Sequence, residues 1–123
     1  MAQADQVRSL VVHEEVIMRV PVRPRLLAPA VEWVERKGPD CIKAESIRAA
    51  ALSGREHVDF LLMDRRRMRA RLAEDCPALD FYNGFYLRPE RGRICERRDS
   101  IHSRMGSSCR IEKFRRLEPR FRQ

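Results

Sequence analysis

The run Val58-Asp59-Phe60-Leu61-Leu62-Met63-Asp64-Arg65-Arg66-Arg67-Met68-Arg69-Ala70-Arg71-Leu72 decides the fold. Read with a period of two, Val58, Phe60 and Leu62 share one face of a strand, and Met68, Ala70 and Leu72 share the matching face of a returning strand. Asp64-Arg65-Arg66 then makes the turn, and Arg67, Arg69 and Arg71 point to the opposite side. Read as a helix, Leu61, Met68 and Leu72 form a stripe that Arg65 interrupts. Propensity argues for helix, but the alternation argues for a hairpin, and the hairpin is the reading adopted.

Upstream, Val16, Met18, Val20 and Val22 alternate with Ile17, Arg19 and Pro21, which predicts a half-buried strand. Pro21 marks an edge position or the strand's end. A helix over residues 3–18 competes, because Glu14-Glu15 sits in mid-run. Pro21, Pro24 and Pro29 make residues 21–30 a stiff arm, so the main body starts near Val31. Lys37-Gly38-Pro39-Asp40 is a turn signal. Ile42 to Leu52 is a strand candidate, although Ala49-Ala50-Ala51 favour helix by propensity. Trp33, the single tryptophan, suits a core or lid position, or a platform for ligand stacking.

Downstream, Phe81 to Leu87 is aromatic and β-prone, with Asn83-Gly84 as a hairpin signal or a bulge. Pro89-Glu90-Arg91-Gly92 is a turn. Ile94–Arg104 and Cys109–Leu117 read as two strands joined through Met105-Gly106-Ser107-Ser108. The expected fold is mainly β, a small antiparallel barrel or sandwich. Residues 1–30 form an N-terminal strand and Pro-rich arm, 31–118 the β-rich domain, and 119–123 a basic tail.

A chain of 123 residues makes one domain with a modest core. The net charge is +8, and arginine supplies 23 of the 26 basic residues. Arginine forks grip phosphate and carboxylate. GC-rich coding also writes Arg for Lys, and acidic residues are scattered among the arginines throughout. The longest apolar runs fall far short of the roughly 20 residues that a membrane-spanning helix needs. Ala2-Gln3-Ala4 before Asp5 has the small-x-small form of a signal cleavage site, so a mature exported protein is expected. Four cysteines with no Cys-x-x-Cys pair point to two disulfides rather than to zinc, with reduced thiols as the remaining option.

Cys76-Pro77-Ala78-Leu79-Asp80-Phe81-Tyr82, Gly84-Phe85-Tyr86-Leu87, Ile94-Cys95, Arg98-Asp99, Ser103-Arg104 and Cys109-Arg110-Ile111 resemble small exported proteins of alphaproteobacteria with paired cysteines and no assigned activity. Lys37-Gly38-Pro39 with Cys41, and Val58-Asp59-Phe60 with Arg69-Ala70-Arg71-Leu72, extend the resemblance over about residues 31–118. It implies an export signal, a β-rich body and paired cysteines. Relatives of this kind carry Gly where Arg65 stands, which leaves the type of that turn open. Three connectivities are possible. The favoured one joins Cys76 to Cys95, closing the aromatic loop, and Cys41 to Cys109, each of which precedes an Ile-bearing strand.

For chemistry, Asp99-Ser100-Ile101-His102-Ser103 holds all the residue types of a catalytic triad. Strand alternation, however, puts His102 and Ser100 on one face and Asp99 and Ser103 on the other. The five glycines are scattered, so there is no phosphate loop. No catalytic residue, cofactor or metal is expected. Binding is the stronger class. Arg65, Arg66, Arg67, Arg69 and Arg71 form the densest basic cluster, and Arg88, Arg91, Arg93, Arg97 and Arg98 form a second. Phe81, Tyr82, Phe85 and Tyr86 are candidate stacking residues beside them, or core and loop-packing residues. The expected protein is periplasmic or secreted and binds an acidic protein, anionic lipid or glycan of the cell envelope. The alternative is a cytoplasmic small barrel that holds nucleic acid by charge and stacking.

Overall fold

The computed structural model describes residues 6–12, 15–23, 31–52, 57–74, 84–104 and 106–121. They form twelve strands and no α-helix: β1 (Arg8–Val12), β2 (Glu15–Val20), β3 (Val22–Arg23), β4 (Val31–Lys37), β5 (Cys41–Lys43), β6 (Ile47–Leu52), β7 (His57–Leu62), β8 (Arg67–Leu72), β9 (Phe85–Leu87), β10 (Arg93–Cys95), β11 (Ser100–His102) and β12 (Ser108–Phe121). A 3-10 turn at Ala44–Ser46 links β5 to β6. The hairpin reading of 58–72 holds, with Val58 opposite Ala70 and Phe60 opposite Met68. Val58, Phe60, Leu62, Met68, Ala70 and Leu72 are all buried. The helix over 3–18 is not formed, since β1 and β2 pair antiparallel from Arg8↔Arg19 to Val12↔Glu15.

The main sheet runs β1-β2-β9-β11-β12-β8-β7-β6-β3, with β4 also paired to β12. Its two ends meet on one chain segment. β2 pairs with β9 through Met18, Arg19 and Val20. One residue further on, β3 pairs in parallel with β6 through Val22 and Arg23. Pro21 sits at the break, where its missing N–H leaves no gap in either ladder, and its carbonyl accepts a hydrogen bond from the Ala50 N–H at 2.9 Å. No residue of the segment pairs with both neighbours, so the sheet is strongly curled without being a closed ladder.

The curl is visible in the core. Phe85 of β9 and Phe60 of β7 lie four strand spacings apart along the sheet order. On a flat sheet that would be about 19 Å, yet their rings meet edge-on at 5.9 Å between centroids. Phe114 of β12 joins at 6.2 Å from Phe60. All three rings are fully buried, with Val20, Leu87, Ile94, Ile101 and Ile111 around them. Each such side chain contributes about 2–3 kcal/mol of burial.

Several boundaries differ from the expectations. The expected strand over Val16–Val22 is formed, broken at Pro21, and Val22–Arg23, read as the start of the stiff arm, also pair in the sheet. The candidate strand Ile42–Leu52 divides at the 3-10 turn. Ile94–Arg104 divides as well, because the Asp99 carboxylate accepts the Cys95 N–H at 2.6 Å and folds the backbone into a turn. Of the residues read as a basic tail, 119–121 continue β12, which pairs with β4 from Arg115↔Lys37 to Phe121↔Val31. Phe81 and Tyr82, with the turn at Asn83, lie outside the described residues.

The disulfide pairing is corrected. Cys41 is bonded to Cys95, not to Cys109. The two face each other across the small β5–β10 ladder, whose register is Cys95↔Cys41, Ile94↔Ile42 and Arg93↔Lys43. Cys109 sits instead on β12 opposite Ile101, and no described cysteine is a free thiol. A bridge across a separation of 54 residues contributes about 4 kcal/mol in the chain-entropy account.

Two backbone positions give a direct test. Arg65 holds φ 70° in the turn that the Arg65 N–H closes on the Leu62 carbonyl, a left-handed conformation that suits glycine. Arg65→Gly is expected to raise stability by about 1 kcal/mol. Gly38 lies where a Cβ would collide with the Phe114 carbonyl, so Gly38→Ala is expected to lower stability by about 2 kcal/mol. Urea denaturation of the oxidised proteins measures both.

Candidate functional site

The arginines divide into two populations, and the division locates the site. Over the outer surface many are matched by carboxylates. Arg69 forks onto Asp59 (Nε–Oδ1 2.8 Å, Nη2–Oδ2 3.2 Å) and reaches Glu35 of β4 at 3.0 Å. Asp59 is only 2 % exposed, and its charged partner keeps burial from being prohibitive. The same pairing raises the affinity of the Arg69 guanidinium for its proton. Arg66 pairs with Asp64, Arg110 with Glu112, and Arg36 and Arg116 both with Glu118. Hydrogen bonds from Arg36, then Arg116, hold the Glu118 carboxyl below the usual carboxylate range. The Arg66 N–H, ahead of its side chain, does the same for Asp64.

The predicted anion-binding residues fall mostly in this matched population. Arg66 and Arg69 are paired as above. Arg97 lies 3.7 Å from Glu96, and Arg98 bonds Asp99 at 3.0 Å. The Arg67 guanidinium stacks 4.6 Å over the Trp33 ring, a cation–π contact that occupies the platform. Arg65 and Arg71 are exposed. Of the candidate stacking residues, Phe85 is sealed in the core, and Tyr86 is half-buried and opposite His102.

The second population lines a cleft of about 1400 Å³ between β2–β3, the β5–β6 connection and the β9–β10 turn. Arg23, Lys43, Arg48, Arg88, Arg91 and Arg93 face it, against three carboxylates, Glu15, Glu45 and Glu90. None of the six cations has an ion pair or side-chain hydrogen bond among the described residues. Arg23 is the extreme case, since its Nε is buried without any partner, a costly arrangement for a charged group. The local fold holds the others close. Arg91 and Gly92 both have positive φ (54° and 73°), and Glu90 and Arg93 exchange both backbone hydrogen bonds around them (3.1 and 3.0 Å). This is a two-residue turn of the type that normally selects Asn and Gly. The Gly92 carbonyl accepts the Ala44 N–H at 2.8 Å, which fixes the turn against the 3-10 turn. Lys43 and Arg93 face each other in register, a like-charge pair that is destabilising by itself. The Cys41–Cys95 bridge at the other end of the same ladder holds them together.

Arg88, Arg91 and Arg93 belong to the basic cluster that the sequence makes visible. Arg23, Lys43 and Arg48 do not. A signal for Arg23 exists in the sequence, because no Asp or Glu stands within seven residues on either side of it.

The triad residue types are used otherwise. The Asp99 carboxylate is taken by the Cys95 N–H and Arg98. Ser103 is buried, and its hydroxyl accepts the Ser107 N–H at 3.1 Å. Burial, then Arg88, pushes the His102 imidazole below its ordinary 6.5, with Asp99 opposing. Compared with protein-family models, curated proteins and solved structures, the chain matches none.

His102 therefore makes stability pH-dependent. The unfolded imidazole binds its proton at higher pH than the folded one, so stability is full above about pH 6.5 and declines as pH falls toward the folded value. In His102→Gln the melting temperature is expected to change less than in the parent between pH 7 and pH 5, as followed by circular dichroism.

Proposed function

We propose that this is a small exported binding protein that holds an anionic partner in the cleft between β2–β3, the β5–β6 connection and the β9–β10 turn. One observation carries the reading. Six cations converge on this cleft without carboxylate partners among the described residues, while most described arginines elsewhere are paired or stacked. Concentrating unpaired cations in a concave surface focuses their field on an incoming anion, and arginine forks bind phosphate or carboxylate bidentately. The Cys41–Cys95 bridge supports a non-reducing compartment, hence the periplasm or the extracellular space. With that bridge formed and Cys109 not free, Cys76 is the cysteine left to pair with it, so we assign the second bridge to Cys76–Cys109. The nucleic-acid alternative asks for exposed rings beside the charge, and the burial of Phe85 removes one of its four.

Calorimetric titration with inorganic pyrophosphate tests the reading. Binding is expected to weaken steadily with added salt. Arg48→Ala with Arg88→Ala is expected to weaken it about tenfold or more, while Arg66→Ala, which removes a paired arginine, leaves it unchanged. Absence of binding at low salt, or an equal loss in Arg66→Ala, overturns the proposal. A single-stranded oligonucleotide that binds far more tightly than pyrophosphate and makes no use of Arg48 or Arg88 returns the nucleic-acid alternative.

A further inference from the structure

The large hydrophobic side chains most exposed among the described residues are Leu10 (62 %), Val11 (67 %) and Met63 (63 %). Val11 and Met63 come from distant parts of the chain, yet both stand at the cleft, whereas Leu10 lies on the other face of β1. Met63 lines the cleft directly, and so does Ser9 on β1. Val11 follows Ser9 by two residues and so shares its face of the strand. Met63 is held in place, because its N–H donates to the Ser46 carbonyl at 2.7 Å and ties the β7–β8 turn to the 3-10 turn. Isolated exposed apolar residues need no explanation. Val11 and Met63 stand beside a cleft whose cations lack partners among the described residues, and Val7, Val16, Met18 and Ile47 give it an apolar lining.

We infer that this face docks on the headgroup layer of an anionic lipid bilayer, with the cleft cations on lipid phosphates and Val11 and Met63 entering the boundary with the acyl chains. The inference rests on the anion-binding reading of the same cleft and adds the partner. Charge complementarity is the argument for a bilayer. Each Lys or Arg near an anionic membrane surface strengthens binding by about fivefold, and shallow insertion of a few apolar side chains adds to it. The outer edge of β1, the last strand on its side of the sheet, is satisfied equally well by the hydrated headgroup layer.

Co-sedimentation with phosphatidylcholine vesicles, with and without phosphatidylglycerol, tests the docking, with pyrophosphate titration run in parallel. The wild-type chain is expected to bind only the vesicles that contain phosphatidylglycerol. Val11→Ser with Met63→Ser is expected to lower that binding about tenfold and leave pyrophosphate affinity unchanged. Arg48→Ala with Arg88→Ala lowers both. Met63→Gln alone, at an exposed turn position, keeps the comparison if the double variant fails to fold, and is expected to weaken vesicle binding about threefold. If pyrophosphate binds but anionic vesicles do not, or bind equally well to the apolar variants, the docking is overturned and the cleft reading stands. If neither binds, both fall.

Discussion

A single bent strand carries both ends of the sheet. The segment Glu15–Arg23 offers β2 to β9 and β3 to β6, with Pro21 between them. An ordinary residue there would present an N–H that neither ladder is placed to accept, whereas proline has none to satisfy. The curl that follows brings Phe85, Phe60 and Phe114 into one cluster from widely separated strands. A chain of this size cannot build a deep core from a flat sheet, since one face of each strand would stay wet. Curling puts the inward faces of nearly all strands onto the same apolar centre. The same bend delivers Arg23 to the cleft rather than to open solvent.

The charge distribution follows from that geometry. On the far side, formed by β7, β8, β12 and β4, acid meets base most tightly at Asp59–Arg69–Glu35, where Asp59 and Arg69 pair in register. That network crosses three strands and fastens β4 to the sheet. On the near side, two connections and a two-residue turn bring cations together without such partners. The Cys41–Cys95 bridge keeps a two-stranded ladder intact despite its Lys43–Arg93 repulsion. Covalent linkage and hydrophobic packing thus offset an unfavourable electrostatic arrangement.

Much of the architecture is legible in the residues. The alternation from Val58 to Leu72 specifies a hairpin with its buried face, because a shift by one residue would turn six apolar side chains outward. Val16 to Val22 reads as a strand ending at proline for a similar reason. The left-handed Arg65 shows how a turn can form with an unsuited residue when the flanking ladder over-determines it. What does not show in the sequence is pairing over distance. Nothing local says that β4 lies along the end of β12, so residues 119–121 read as a tail. Nothing local chooses among the cysteine partners either, because that choice depends on β5 meeting β10. The cleft is hidden for the same reason. Arg23, Lys43 and Arg48 become neighbours of Arg88, Arg91 and Arg93 only after the sheet curls, whereas in the dense cluster from Arg65 to Arg71 that draws attention, Arg66 and Arg69 are held by carboxylates and Arg67 by Trp33.

Native-state hydrogen exchange tests the shared strand most directly. The amide of Ala50, which donates to the Pro21 carbonyl, and the amides of β2 that pair with β9 are predicted to exchange only with global unfolding, at the same free energy as the β7–β8 hairpin. Exchange of the Ala50 and β2 amides through a local opening well below the global value, while β7 and β8 stay protected, would contradict the account. The N-terminal segment would then be an accessory strand, and neither the curl nor the cleft could depend on it.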